Sequence, residues 1–167
     1  GAFWATIPAL LKTKFNTNEI LTSLMLTYVA LFILDYFVVG PWKDPDGYGL
    51  PKSMPFPESG RLPVLFDGLR IHIGVYFAII ICFISYIVFN KTLFGFKLRV
   101  SGFSSKASQY AGFKYKNLIF YTFIISGACA GLAGLFEVSG PIGLLYRDIS
   151  PNYGFTAIIV AFLGRLN

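Results

Sequence analysis

Apolar positions in this sequence fall in long, nearly unbroken runs, not at the spacing of an amphipathic surface helix. Three runs approach twenty residues: about 18–39 (NEILTSLMLTYVALFILDYFVV), 73–89 (IGVYFAIIICFISYIVF) and 118–136 (LIFYTFIISGACAGLAGLF). A helix rises about 1.5 Å per residue, so runs of this length cover the roughly 30 Å hydrocarbon core of a bilayer. Inside a bilayer the backbone must satisfy its own hydrogen bonds, which makes each run a helix. A fourth run, 153–166, is shorter and predicts either a partial span or a re-entrant segment. Residues Ala2–Leu11 predict the end of an earlier span or an interfacial segment. The predicted fold class is all-α, a partial polytopic transmembrane helical bundle.

Composition supports this and narrows it. Of 167 residues, 55% are hydrophobic and only 13% charged, about half the charge of an ordinary soluble domain. A free-standing soluble enzyme is excluded, and an 18% aromatic content argues against disorder. Cys82 and Cys129 both lie in apolar runs and read as small apolar filler. No Cys/His spacing suggests a metal site. The chain opens on Gly1 and closes at Asn167, straight after the apolar run Ala157–Leu163. The expectation is one membrane domain, 1–167, incomplete at both ends, and no signal peptide is visible.

Charge then orients the spans. The segment 90–117 carries Lys91, Lys97, Arg99, Lys106, Lys114 and Lys116 and no acid, which alone equals the net charge of +6. In 40–72, Lys43, Lys52, Arg61 and Arg70 are cancelled by Asp44, Asp46, Glu58 and Asp67. Lys/Arg excess marks cytoplasmic loops, so 90–117 is predicted inside and 40–72 outside. Lys12 and Lys14 then flank the inner end of the first span. One-sided charge also explains the basic pI without nucleic acid. Six of nine prolines fall in 40–72, with turn pairs such as Asp46-Gly47, predicting ordered irregular structure. Its end, Leu62–Ile71, is amphipathic enough to lie at the interface.

Ionisable residues within spans are costly and often functional. Glu19 and Asp35 are about 24 Å apart on one helix, so they cannot form a paired carboxylate site there. Asp35 reads as an outer-interface acid and Glu137 as the outer end of the third span. Glu19 follows Asn16-Thr17-Asn18, helix-start residues that suit a cap. The alternative is a pore or coupling role, with Asn18, Glu19, Thr22 and Met25 as candidate pore-lining residues for a polar neutral solute. His72 stands alone, which argues against a metal ligand. No phosphate-binding GxxxxGK[ST], HExxH or GxSxG motif occurs. No catalytic residue, metal site or cofactor is predicted.

Two segments carry mechanical content. In the third span, Gly127 and Gly131, and Ala130 and Gly134, are spaced four apart, giving small stripes for close helix packing. Inside, Leu98–Phe113 (LRVSGFSSKASQYAGF) predicts a short helix capped by Ser104 or Ser105 and stopped by Gly112. Ala107, Ser108 and Ala111 would present a small-residue face to a groove on another protein. The bland reading is a helix held to anionic lipid by its lysines.

The run from Arg99 through Gly102, Ser104, Ala107 and Ser108 to Gly112 resembles the cytoplasmic coupling segment of ABC-importer permeases of the ribose/nucleoside branch. Their pattern is Arg-x-x-Gly-x-Asn-x-x-Ala-Ala-x-x-x-Gly-Ile, followed by Ser-Gly-x-x-Ala-Gly-x-Ala-Gly. Ser126, Gly127, Ala130, Gly131, Ala133 and Gly134 match the second part. Ser104, Ser108 and Phe113 depart from the first. Asn18–Leu26, Leu62-Pro63, Gly154–Ile158 and Leu163-Gly164-Arg165 are also similar to that subgroup. The resemblance implies a multi-pass permease subunit in the bacterial plasma (inner) membrane, importing nucleosides or simple sugars. It implies a second permease subunit, a separate cytoplasmic ATP-binding subunit that hydrolyses the ATP, and an extracytoplasmic substrate-binding protein. Arg99, Gly102, Ser104, Ala107, Ser108 and Gly112 would couple to the ATPase, and the Pro-rich outside loop would face the binding protein. The competing class is a secondary transporter or channel working without ATP, which the position of the acids near helix ends disfavours.

Overall fold

A computed structural model describes residues 1–45, 51–63, 73–146, 149 and 153–164. His72, Arg165, the Asp46-Gly47 turn and most of Leu62–Ile71 lie outside the described residues. The described chain is all-α, with seven α-helices and no strand. In order they are α1 (Ala2–Phe15), α2 (Glu19–Val39), α3 (Gly74–Lys91), α4 (Leu93–Phe103), α5 (Ser105–Tyr110), α6 (Tyr115–Glu137) and α7 (Tyr153–Leu163). α2, α3 and α6 with its extension are long and apolar enough to cross a membrane. Their side chains point outward: Phe32 is 68% and Phe83 65% exposed. Apolar surface on this scale belongs against lipid or other membrane helices, not water. α7 has 11 residues, or about 16 Å of helix, too short to cross the core.

The contacts fall into two units, Gly1–Ala30 with Phe56–Gly143 and Leu31–Pro55 with Leu144–Asn167. In the first, the most extensive helix contact is between α1 and α6. Small residues make it possible. A side chain on Gly127 would run into the Ala5 methyl, and one on Gly131 would lie 2.9 Å from Gly1. Ala9 is fully buried a turn further along α1. α1 therefore runs antiparallel to α6, its basic end beside the start of α6. The α1 helix stops at Asn16, whose left-handed φ of 52° breaks it. α2 restarts with the Asn18 carboxamide accepting from the Ile20 N–H at 3.0 Å, a side-chain cap.

At the other end of this unit, the Phe77 and Phe136 rings stack at 5.4 Å. α6 runs on into a π-turn, Val138–Ile142, closed by left-handed Gly143. The Phe56 N–H donates to the Gly143 carbonyl and the Leu62 N–H to that of Ser139. In the second unit, buried Ser53 donates its N–H to the Leu145 carbonyl, and its hydroxyl accepts the Leu145 N–H, each at 2.8 Å. Trp42 stacks on Phe37 at 4.6 Å. The described part of 40–63 is thus tied down by hydrogen bonds, its only regular structure a three-residue 3-10 turn, Glu58–Gly60, and isolated β-bridges.

Candidate coupling site

The basic segment 90–117 is largely helical. Thr92 opens α4 in an extended conformation, its hydroxyl donating to the Val88 carbonyl at 2.6 Å and accepting the Gly95 N–H at 3.3 Å. α4 folds back so tightly that a side chain on buried Gly95 would collide with the carbonyls of Phe89 and Val88. Arg99 closes this corner, donating to the Phe89 carbonyl at 2.7 Å and the Asn90 carboxamide oxygen at 3.0 Å. A cation at the end of α3 satisfies free carbonyls and opposes the helix dipole. Arg99 therefore braces α3 against α4.

Ser104 is the kink between α4 and α5. Its N–H donates to the Val100 carbonyl, while its own carbonyl accepts the Ser108 N–H, both at 3.1 Å. α5 ends on Gly112 at φ +75°. The Gly112 N–H reaches the Gln109 carbonyl and the Phe113 N–H that of Ser108, both at 3.0 Å. Those paired bonds are a Schellman motif, and the left-handed residue within it suits glycine. Just beyond, the Lys97 ammonium sits 5.5 Å from the Phe113 ring centroid, a cation–π contact.

The outward face differs from the small-residue face expected. Ser108 is fully buried, its hydroxyl 2.8 Å from that of Ser101 on α4. The kink turns one side of α5 inward, so Ser108 holds α5 to α4. The Ala107 side chain lies outside the described ones. A methyl group placed on Gly102 would meet nothing within 4 Å; this glycine is exposed, as is Ala111. The residues standing out are Phe103 at 89% and Tyr110 at 93% exposure, flanking α5 beside exposed Lys106. Sequence reading missed both; the signal was two aromatics within a polar, basic stretch.

The buried hydroxyl pair yields a direct expectation. Ser108→Ala or Ser101→Ala alone strands the other hydroxyl and should cost about 1 kcal/mol. The double alanine should recover most of that, because neither hydroxyl is then left unpaired. A double-mutant cycle on thermal or denaturant unfolding checks this; strictly additive losses would mean that the two do not interact.

The candidate pore residues cluster at the start of α2 and mostly have local partners. Glu19 pairs with Lys12 at 2.7 Å, Asn18 caps the helix, and the Thr22 hydroxyl donates to the carbonyls of Asn18 and Glu19, each at 3.1 Å. Met25 is 65% exposed. The Lys12–Glu19 pair borders an open cleft of about 300 Å³ shared with Ser101 and Gly102 of α4 and Tyr115 and Thr122 of α6. The start of α2 therefore abuts the basic segment. Among the described residues no group of His, Cys, Asp or Glu could hold a metal ion.

Residues 1–167, the whole sequence, match the family described as branched-chain amino acid transport system / permease component. The chain belongs to this family. It is 37% identical to the glucose ABC transporter permease protein TsgB13 of Haloferax volcanii, over 99% of this chain and 46% of that protein. It is 34% identical to the guanosine ABC transporter permease protein NupP of Bacillus subtilis, over 98% of this chain and 48% of the relative. The nucleoside ABC transporter permease protein NupB of Lactococcus lactis is 30% identical, over 98% and 47%. The chain spans about half the length of these curated relatives. No solved structure matches it. Family and spans together make this a multi-pass membrane protein of the permease type.

Proposed function

We propose that this chain is part of the permease subunit of an ATP-driven, binding-protein-dependent importer of nucleosides or simple sugars in the bacterial plasma membrane. The reading is carried by the α4–α5 corner: a braced helical hairpin that leaves two aromatics uncovered among cations. It is supported by relatives named for glucose, guanosine and nucleosides. A separate cytoplasmic ATP-binding subunit would dock on that corner and supply the hydrolysis. Its movements would reach α3 through Arg99 and α6 through the contacts of α4 and α5 with that helix. A second permease subunit would complete the pathway, and an extracytoplasmic protein would deliver the solute to the face carrying 40–63.

Docking residues in this reading are Gly102, Ser104, Ala107 and Gly112, to which we add the exposed Phe103 and Tyr110, with Arg99 and Ser108 positioning them. Near the start of α2, Asn18, Glu19, Thr22 and Met25 are proposed to border the path. The test is uptake into vesicles holding the full-length permease with its ATPase and binding protein. Uptake should require ATP, survive an uncoupler, and fall when unlabelled nucleoside or sugar competes. Uptake that continues without ATP and follows an ion gradient would sink the proposal.

A further inference from the structure

A second cleft lies away from the α4–α5 corner, between the last turn of α1 and the first turns of α6. It measures about 430 Å³ and is lined by Thr13, Lys14, Lys116, Asn117 and Phe120. Its two cations differ from their neighbour Lys12, which Glu19 neutralises at 2.7 Å. Among the described residues neither Lys14 nor Lys116 forms an ion pair, and the Asn117 carboxamide makes no side-chain hydrogen bond. Thr13 offers no donor, because its hydroxyl proton goes to the Ala9 carbonyl at 2.8 Å. The cleft thus presents two ammonium groups, an amide donor and the Phe120 ring. Both helices belong to one unit and pack along their length, so both lysines border the same cleft. From here α6 continues as an apolar span with exposed flanks, Tyr121 at 54% and Ile125 at 52%.

We propose that this cleft holds the phosphate headgroup of an anionic phospholipid from the inner leaflet. The unpaired lysines and Asn117 take the phosphate oxygens, and the acyl chains lie along Phe120 and the exposed side of α6. Basic pockets between helices at the cytoplasmic face suit such headgroups. A free phosphate would use the same donors, but it would gain nothing from the aromatic wall or the apolar flank. The proposal rests on the inside orientation of the 90–117 segment for its leaflet, though not for its chemistry.

The test is lipid titration of the full-length permease in neutral detergent, with bound lipids counted by native mass spectrometry. No leaflet exists there, so the result is independent of the orientation and of any transport activity. Phosphatidylglycerol should bind in preference to phosphatidylcholine. Lys14→Gln and Lys116→Gln should each weaken it roughly fivefold, and the pair about thirtyfold. The pair Lys43→Gln/Lys52→Gln removes as much charge elsewhere and should leave binding unchanged. Single substitutions of exposed lysines spare the fold, so a weak effect cannot be blamed on misfolding. Equal losses from the control pair would overturn the proposal in favour of diffuse surface attraction. So would indifference between the two lipids, or displacement by inorganic phosphate at the lipid's own affinity.

Discussion

Replacing Gly127 with leucine is expected to separate α1 from α6 and destabilise the protein by about 3 kcal/mol, the upper end for overpacked sites. The reason is distance. At Gly127 even a single methyl would collide with the Ala5 side chain, and at Gly131 it would meet the backbone of Gly1 at 2.9 Å. Backbone cannot rotate aside as a flexible side chain can. Lipid tails are as apolar as the helices, so the pair is held by close packing, which the substitution removes. Gly134 gives the contrast within the same span, because a side chain there meets nothing within 4 Å. Gly134→Leu should therefore change stability by less than about 0.5 kcal/mol. Both are read by thermal unfolding of the full-length permease in detergent. Tolerance of leucine at Gly127 would refute the packing account. A large loss at Gly134 would show that the second stripe packs on another element or subunit.

The spans were legible because a bilayer leaves an apolar run of some twenty residues one choice of conformation. The observed α2, Glu19–Val39, differs from the expected run by a single residue. Which small stripe would be used was not legible: Gly127/Gly131 and Ala130/Gly134 look alike until α1 is placed against one of them. α1 itself was read only to Leu11, because Lys12 and Lys14 end the apolar run while the helix continues to Phe15. α4 was missed for a related reason. The charge of 90–117 reads as an inside loop, and nothing local shows that α4 doubles back over Gly95 onto the α3 terminus. The burial of Ser108 depends on the kink at Ser104, which brings a residue seven positions away into hydrogen-bond reach. Local pattern carries no record of such a fold-back. The family resemblance singled out this segment, but which of its side chains face outward emerges only from that geometry.

Phe103→Ala/Tyr110→Ala should weaken association with the proposed cytoplasmic ATP-binding subunit by at least about thirtyfold, with little change in the permease's own stability. Solvent-exposed aromatics of this kind carry interface energy when a partner's pocket desolvates them, about 2 kcal/mol or more for a central anchor. At 89% and 93% exposure they contribute little to the fold, so truncation leaves unfolding within about 0.5 kcal/mol. Lys106→Ala should behave differently. A rim cation steers encounter, so its loss should slow association and flatten the salt dependence while dissociation stays nearly constant. The aromatic pair should act on dissociation instead, since the anchors are what must leave their pockets. Surface plasmon resonance with immobilised full-length permease separates these rates. If the double alanine variant binds the ATPase as wild type does, the corner is not the docking surface. If it loses binding and stability together, Phe103 and Tyr110 support the fold, and the small-residue positions Gly102 and Ala107 become the contacts to test.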